Sequence, residues 1–182
     1  MAQQVHVERA LFIIGNPNTG KSVQLRSMFL DWRLGQRGII PTSNRLRSTY
    51  SLSNERWLYL RLTSPHETNE TLEKFLRKCA HVMQRNGNLA RRWNFAGALQ
   101  AAATQNTLSS AEIIDAFAKR FSAERTRAVI LSPNWRGNAL QATTIQKLVA
   151  DLRAAQVTDI QTVDATTRKG NGLMYMDFFD FT

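Results

Sequence analysis

The clearest chemistry in the chain is carried by Gly15, Asn16, Pro17, Asn18, Thr19, Gly20, Lys21 and Ser22. Gly15 and Gly20 let the backbone curl until successive N–H groups face one centre, an arrangement that suits phosphate oxygens. A helix starting after Gly20 adds the positive end of its dipole. Lys21, on an exposed loop, is then placed to reach the β- and γ-phosphates of a nucleotide, and Ser22 to offer its hydroxyl to Mg2+. No other set of polar residues is so ordered. His6, His66 and His81 are scattered, and Cys79 and His81, two apart, fall on different faces of a helix. Neither a metal cluster nor a nucleophile–base pair follows from them.

The elements around this stretch have the order its chemistry needs. Ala10 to Ile14 is a compact apolar run that stops at Gly15 and reads as a buried strand. From Gly20, Val23, Leu25, Met28, Phe29 and Trp32 mark a helix that Gly35 ends. Further strands are expected at Gly38–Pro41, Trp57–Leu62, Ala128–Leu131 and Ile160–Val163. Leu72, Phe75, Leu76, Cys79, Val82 and Met83 recur at helical spacing, with Cys79 on the apolar stripe as a core residue. An Ala-rich helix is expected from Leu89 to about Ala103, and Ser109 with Glu112 forms a capping box opening another, carrying Ile113, Ile114, Phe117 and Phe121. Ile145, Leu148, Val149 and Leu152 mark a further helix. Asn171-Gly172 has the composition of a type I′ hairpin turn, with Leu173–Phe181 as its returning strand. These elements predict an α/β fold, a mostly parallel sheet flanked by helices, with a helical insertion or lid at about 66–122 and a C-terminal hairpin.

Residues 15–22 fit G-x-x-x-x-G-K-[ST] at every fixed position, between a strand and a helix. The chain here resembles the P-loop NTPase superfamily over about residues 10–34. That resemblance implies binding of a nucleoside triphosphate with Mg2+. The superfamily also ends a second strand in an aspartate that holds the metal. Here Ala128–Leu131 runs into Ser132-Pro133-Asn134 instead, so Asp164, after Ile160–Val163, is the nearest substitute, and Glu67, beyond Trp57–Leu62, is a second. The guanine-reading Asn-Lys-x-Asp stretch is missing, which favours ATP. Arg136, just past Ala128–Leu131, is the catalytic arginine candidate, because ligands of open α/β sheets gather at the carboxyl ends of strands. Arg91-Arg92 stand where nucleotide kinases carry lid arginines.

Bulk composition narrows the partners. The 182 residues carry 24 Lys and Arg, of which 18 are Arg, against 14 Asp and Glu, a net charge of +10. Arginine suits phosphate and carboxylate contacts, and Arg33, Arg37, Arg45, Arg47, Arg56 and Arg61 crowd one stretch with Glu55 as its only acid. This basic region, with Tyr50 and Trp57 for base stacking, is a candidate surface for nucleic acid or a partner protein; a solvated basic loop is the plainer account. One cysteine excludes a disulfide framework. No run nears the ~18–20 apolar residues of a membrane span, and Met1–His6 lacks the features of a signal peptide, so a cytoplasmic protein with no membrane association is expected. The leading expectation is a Mg2+-dependent ATPase or ATP-dependent switch working with a partner. The alternatives are a small-molecule or nucleotide kinase and a basic nucleic-acid-binding module with a structural nucleotide.

Overall fold

The computed structural model describes residues 5–34, 38–87 and 90–180. Met1–Gln4, Gly35, Arg37, Leu89 and Phe181, which entered the sequence reading, lie outside them. The strands are β1 (Val7–Ile14), β2 (Thr49–Ser51), β3 (Arg56–Arg61), β4 (Arg92–Leu99), β5 (Arg125–Leu131) and β6 (Asp159–Val163). The helices are α1 (Lys21–Ser27, extended by a 3₁₀ turn over Met28–Leu30), α2 (Leu72–Arg85), α3 (Ser110–Phe121), α4 (Ala142–Ala154) and α5 (Arg168–Asp177). The strands form one sheet in the order β2-β3-β4-β1-β5-β6, parallel throughout except for β2, which runs antiparallel to β3. The fold is α/β with a mostly parallel sheet flanked by helices, as the strand–helix rhythm predicts. Among the described residues no helix is long and apolar enough to cross a membrane.

β1 occupies the middle of the sheet because both of its faces are apolar. Ala10, Phe12 and Ile14 enter one core with Phe75, Cys79, Met83, Ile113, Phe117 and Leu148 from α2, α3 and α4. Leu11 and Ile13 alternate into a second core with Leu25 of α1 and Tyr175, Met176 and Phe179. This is the side-chain period of two, read on a strand covered on both sides. Cys79 is fully buried, as its place on the apolar stripe predicts, and burial pushes its thiol up to about 12. The Ser109–Glu112 capping box at α3 is also present.

The middle of the chain is not wholly helical. Residues 92–99, expected to lie in an Ala-rich helix, form β4, which pairs with both β1 and β3. Ala96 and Ala98 lie on the side of α1, and Gly97 lies against Phe95, whose ring a Cβ at Gly97 would meet at 2.6 Å. Small residues here serve close approach to the sheet, and their helix propensity yields to tertiary packing. The stretch 66–122 is therefore helix, central strand, helix, continuous with the rest of the sheet. No strand forms at Gly38–Pro41; the edge strand is β2. The helix after Gly20 stops short of Trp32, which is 81% exposed.

The C-terminal hairpin is absent as well. Asn171 and Gly172 lie inside α5, and Leu173–Asp177 continue that helix. Gly172 is required by proximity, since a Cβ there would stand 2.2 Å from the Ser27 carbonyl oxygen of α1. Asn171 and Tyr175 both donate to Gln24 Oε1 at 3.0 Å, while Gln24 Nε2 donates to the Ala165 carbonyl at 2.9 Å. A buried polar network thus joins α5 to α1. Gly172→Ala is expected to destabilise the protein by about 1–3 kcal/mol, since backbone must move to admit the methyl group. Thermal unfolding read by circular dichroism checks this, and an unchanged midpoint would mean that the two helices can part at no cost.

Candidate functional site

The Gly15–Ser22 loop leaves the carboxyl end of β1, where the neighbouring strands β4 and β5 also end. Gly15 N–H donates to the Leu99 carbonyl at 3.2 Å, extending the ladder by one bond before the chain turns away. Pro17 and Asn18 then take the central positions of a turn closed by Thr19 N–H on the Asn16 carbonyl at 3.4 Å. Asn18 and Gly20 have φ of 59° and 94°, the left-handed region that asparagine tolerates and glycine adopts freely. Gly15 has a second constraint, because a Cβ there would lie 2.5 Å from Thr19 Oγ1.

Lys21 is not on an exposed loop. It is the first residue of α1, 3% exposed, and its ammonium donates to the carbonyls of Gly15 at 3.2 Å and Asn16 at 2.9 Å. Glu67 Oε1 lies 3.8 Å from the same nitrogen. Burial pushes the lysine pKa down, and Glu67 opposes that shift. The result is a desolvated cation whose nearest carboxylate is itself 43% exposed. Such a group favours an added anion. Ser22 follows on α1, half-buried, with its hydroxyl beside this position in sequence.

Glu67 reaches Lys21 because the loop after β3 is braced. His66, 7% exposed, donates from Nε2 to the Leu108 carbonyl at 2.9 Å. Its Nδ1 therefore accepts, from the Ser64 hydroxyl at 3.0 Å and Gln100 N–H at 3.4 Å. One neutral imidazole thus joins the loops that follow β3 and β4. Burial lowers its pKa, and the nearby Lys21 acts the same way. Glu70, 1% exposed, accepts from Arg61 Nη2 at 2.6 Å and from Lys78. Burial opposes its ionisation, but these two cations hold its carboxyl below the usual range.

The other expected residues are distributed less evenly. Asp164 lies at the end of the edge strand β6, and its carboxylate turns back to accept from Thr166 N–H at 2.8 Å. Those hydrogen bonds from Thr166 lower its pKa. Arg136 lies beyond β5, exposed, with its guanidinium 4.8 Å from the centre of the Trp135 ring. Arg91 and Arg92 stand at the amino end of β4, opposite the loop, paired with Glu55 and Glu8 at 3.2 and 2.9 Å. They close over nothing there.

Three arginines of the basic stretch are paired with acids within the fold. Arg33 pairs with Asp31 at 2.9 Å, Arg56 with Glu8 at 2.9 Å and Arg61 with Glu70 at 2.6 Å. Tyr50 packs edge-on against Phe29 and Trp57 packs against the core, both half-buried.

Sequence reasoning missed Trp135. It stands in the turn after β5 and its Nε1 donates to the Asn18 carbonyl at 2.8 Å, at the crown of the loop. The signal was a lone aromatic directly after a strand that ends beside β1. Among the described residues no three His, Cys, Asp or Glu side chains cluster as metal ligands. A metal here would draw mainly on phosphate oxygens and water, which is how Mg2+ is commonly held; Ser22 and Glu67 fit that role. Comparison of the chain with protein-family models, with curated proteins and with solved structures found no match.

Proposed function

We propose that the chain binds ATP with Mg2+ in the Gly15–Ser22 loop and hydrolyses it, acting as an ATPase or ATP-dependent switch with a partner. One observation carries this reading: the ammonium of Lys21, 3% exposed, is held by two loop carbonyls at the carboxyl end of the central strand. Burying a cation is costly unless charge is brought to it, and the adjoining backbone curls around the same point. Strand ends of this kind are where open α/β sheets gather ligands.

In this reading the loop amides and Lys21 bind the β- and γ-phosphates. Ser22 donates an oxygen ligand to Mg2+, and Glu67 holds the ion from its outer shell. Mg2+ when bound neutralises charge that builds up between the two phosphates. Arg136 is the candidate to meet the γ-phosphate by swinging from the Trp135 face. The kinase alternative rests on size and a helical insertion, and residues 92–99 of that insertion form β4; the nucleic-acid alternative rests on the net charge of +10, of which Arg33, Arg56 and Arg61 are paired internally.

Phosphate release from ATP without any acceptor is the deciding measurement. Release that requires magnesium supports the proposal. ADP formed only after an acceptor is added favours a kinase, and absence of ATP binding by calorimetry removes the reading altogether.

A further inference from the structure

We infer that Trp135 is a positioning residue for the phosphate cradle, fixing the orientation of one anion-binding amide through the indole N–H. The inference rests on the nucleotide reading above and assigns a role to a residue outside the loop. Its basis is the planarity of the peptide bond. In a trans peptide the carbonyl and the following N–H point in opposite directions. The Asn18 carbonyl points out to Trp135 Nε1 at 2.8 Å, so the Thr19 N–H must point the other way. There it meets the Asn16 carbonyl at 3.4 Å, the same oxygen that accepts from Lys21 Nζ at 2.9 Å. Thr19 N–H and the ammonium therefore converge on one side of the loop. The amide's bond is long, hence weak, and can be exchanged for a phosphate oxygen.

The holder is itself held. Asn134 Oδ1 accepts from the backbone N–H of Arg136 at 2.9 Å and of Asn138 at 3.1 Å. Asn134 N–H donates to the Asn138 carbonyl at 2.9 Å, and Gly137, with φ of 85°, completes the turn by donating to the Asn134 carbonyl. Leu140 N–H is anchored on Ser132 Oγ at 3.0 Å. The indole also lies on Gly20, where an added Cβ would be 3.2 Å from Trp135 Cδ1. Trp135 thus adjoins both residues of the loop with positive φ: it hydrogen-bonds Asn18 and fills the space that a Cβ on Gly20 would need. Asparagine in the left-handed region carries a conformational cost that the surroundings must offset. The indole hydrogen bond is such an offset, and it places the strain where an amide must face inward.

Trp135→Phe keeps an aromatic ring over Gly20 and removes the donor. Inorganic tripolyphosphate and ATP, each with Mg2+, are titrated into wild type and variant by calorimetry, and the Thr19 amide is followed by NMR. Loss of one hydrogen bond predicts affinity about three- to tenfold weaker for both ligands alike. The Thr19 amide resonance should move in the unliganded variant while the melting temperature stays close to that of wild type. Weakening for ATP alone, with tripolyphosphate unaffected, would make Trp135 a stacking surface for the base and overturn the inference. Equal affinities in the two proteins would overturn it too, and would leave the nucleotide reading standing. A wild-type protein that binds neither ligand overturns both.

Discussion

Lys21→Ala is expected to lower the proposed affinity for ATP by roughly ten- to a hundredfold, which calorimetry on folded protein checks. In the proposed complex the ammonium would make charge-assisted hydrogen bonds to phosphate worth about 1.5–3 kcal/mol each, and every ~1.4 kcal/mol is a tenfold change in affinity. The structure adds an expectation that the motif alone does not carry. Lys21 is buried and its pKa is lowered by desolvation, with Glu67 only partly opposing. The folded protein therefore binds this proton less tightly than the unfolded chain. Stability rises with pH as the solution moves up through the lowered value toward lysine's ordinary 10.5. A variant that binds ATP as wild type does would remove the basis of the functional reading.

Glu67→Gln is expected to cut magnesium-dependent turnover about 10- to 100-fold while ATP binding stays within a few fold, whereas Asp164→Asn leaves turnover within about twofold. An outer-shell carboxylate that steadies a metal has effects of this size. From sequence alone Asp164 stood first, because it directly follows a strand. Geometry reverses the preference: Glu67 Oε1 is 3.8 Å from Lys21 Nζ, and the Asp164 carboxylate folds back on Thr166. Both acids follow a strand that is one removed from β1, with β4 or β5 between. What separates them is the loop after β3, which runs far enough past the sheet to return over the site. Parallel phosphate-release assays on the two variants decide between them. A fully active Glu67→Gln protein would show that this carboxylate has no part in turnover.

Much of the fold can be read along the chain where one physical signal dominates. β1 is legible over Ala10–Ile14 as an unbroken apolar run, α2 by its one apolar face, and α3 by both its periodicity and a capping box that forms as expected. Two of the failures share a cause. β4 and α5 contain small residues whose local preferences point away from their structure, Ala96, Gly97 and Ala98 in one and Asn171-Gly172 in the other. In each place smallness serves close packing, against α1 or Phe95 for β4 and against Ser27 for α5. A single sequence does not distinguish a glycine that turns from a glycine that makes room. The same holds for the candidate site. Lys21 and its loop are legible because their spacing is itself the chemistry. The proximity of Glu67 and the bond from Trp135 depend on how far two loops travel after their strands end, which residue types do not encode.

The contact between α5 and α1 would extend the reach of the proposed nucleotide site to the C-terminal helix. Lys21 and Ser22 open a helix whose third and sixth positions beyond Lys21, Gln24 and Ser27, are gripped by Asn171, Gly172 and Tyr175. The segment after α5 is itself tied down, with Arg9 donating to the Phe178 carbonyl and Arg127 stacking 4.5 Å over the Phe178 ring. Any ligand that binds only the docked arrangement draws on all of these contacts at once. For the proposed site, apparent affinity for phosphate would be the product of an intrinsic affinity and the fraction of molecules whose carboxyl-terminal helix is seated. In the proposed site, Asn171, Gly172 and Tyr175 would then contribute to the dissociation constant through Gln24 and Ser27.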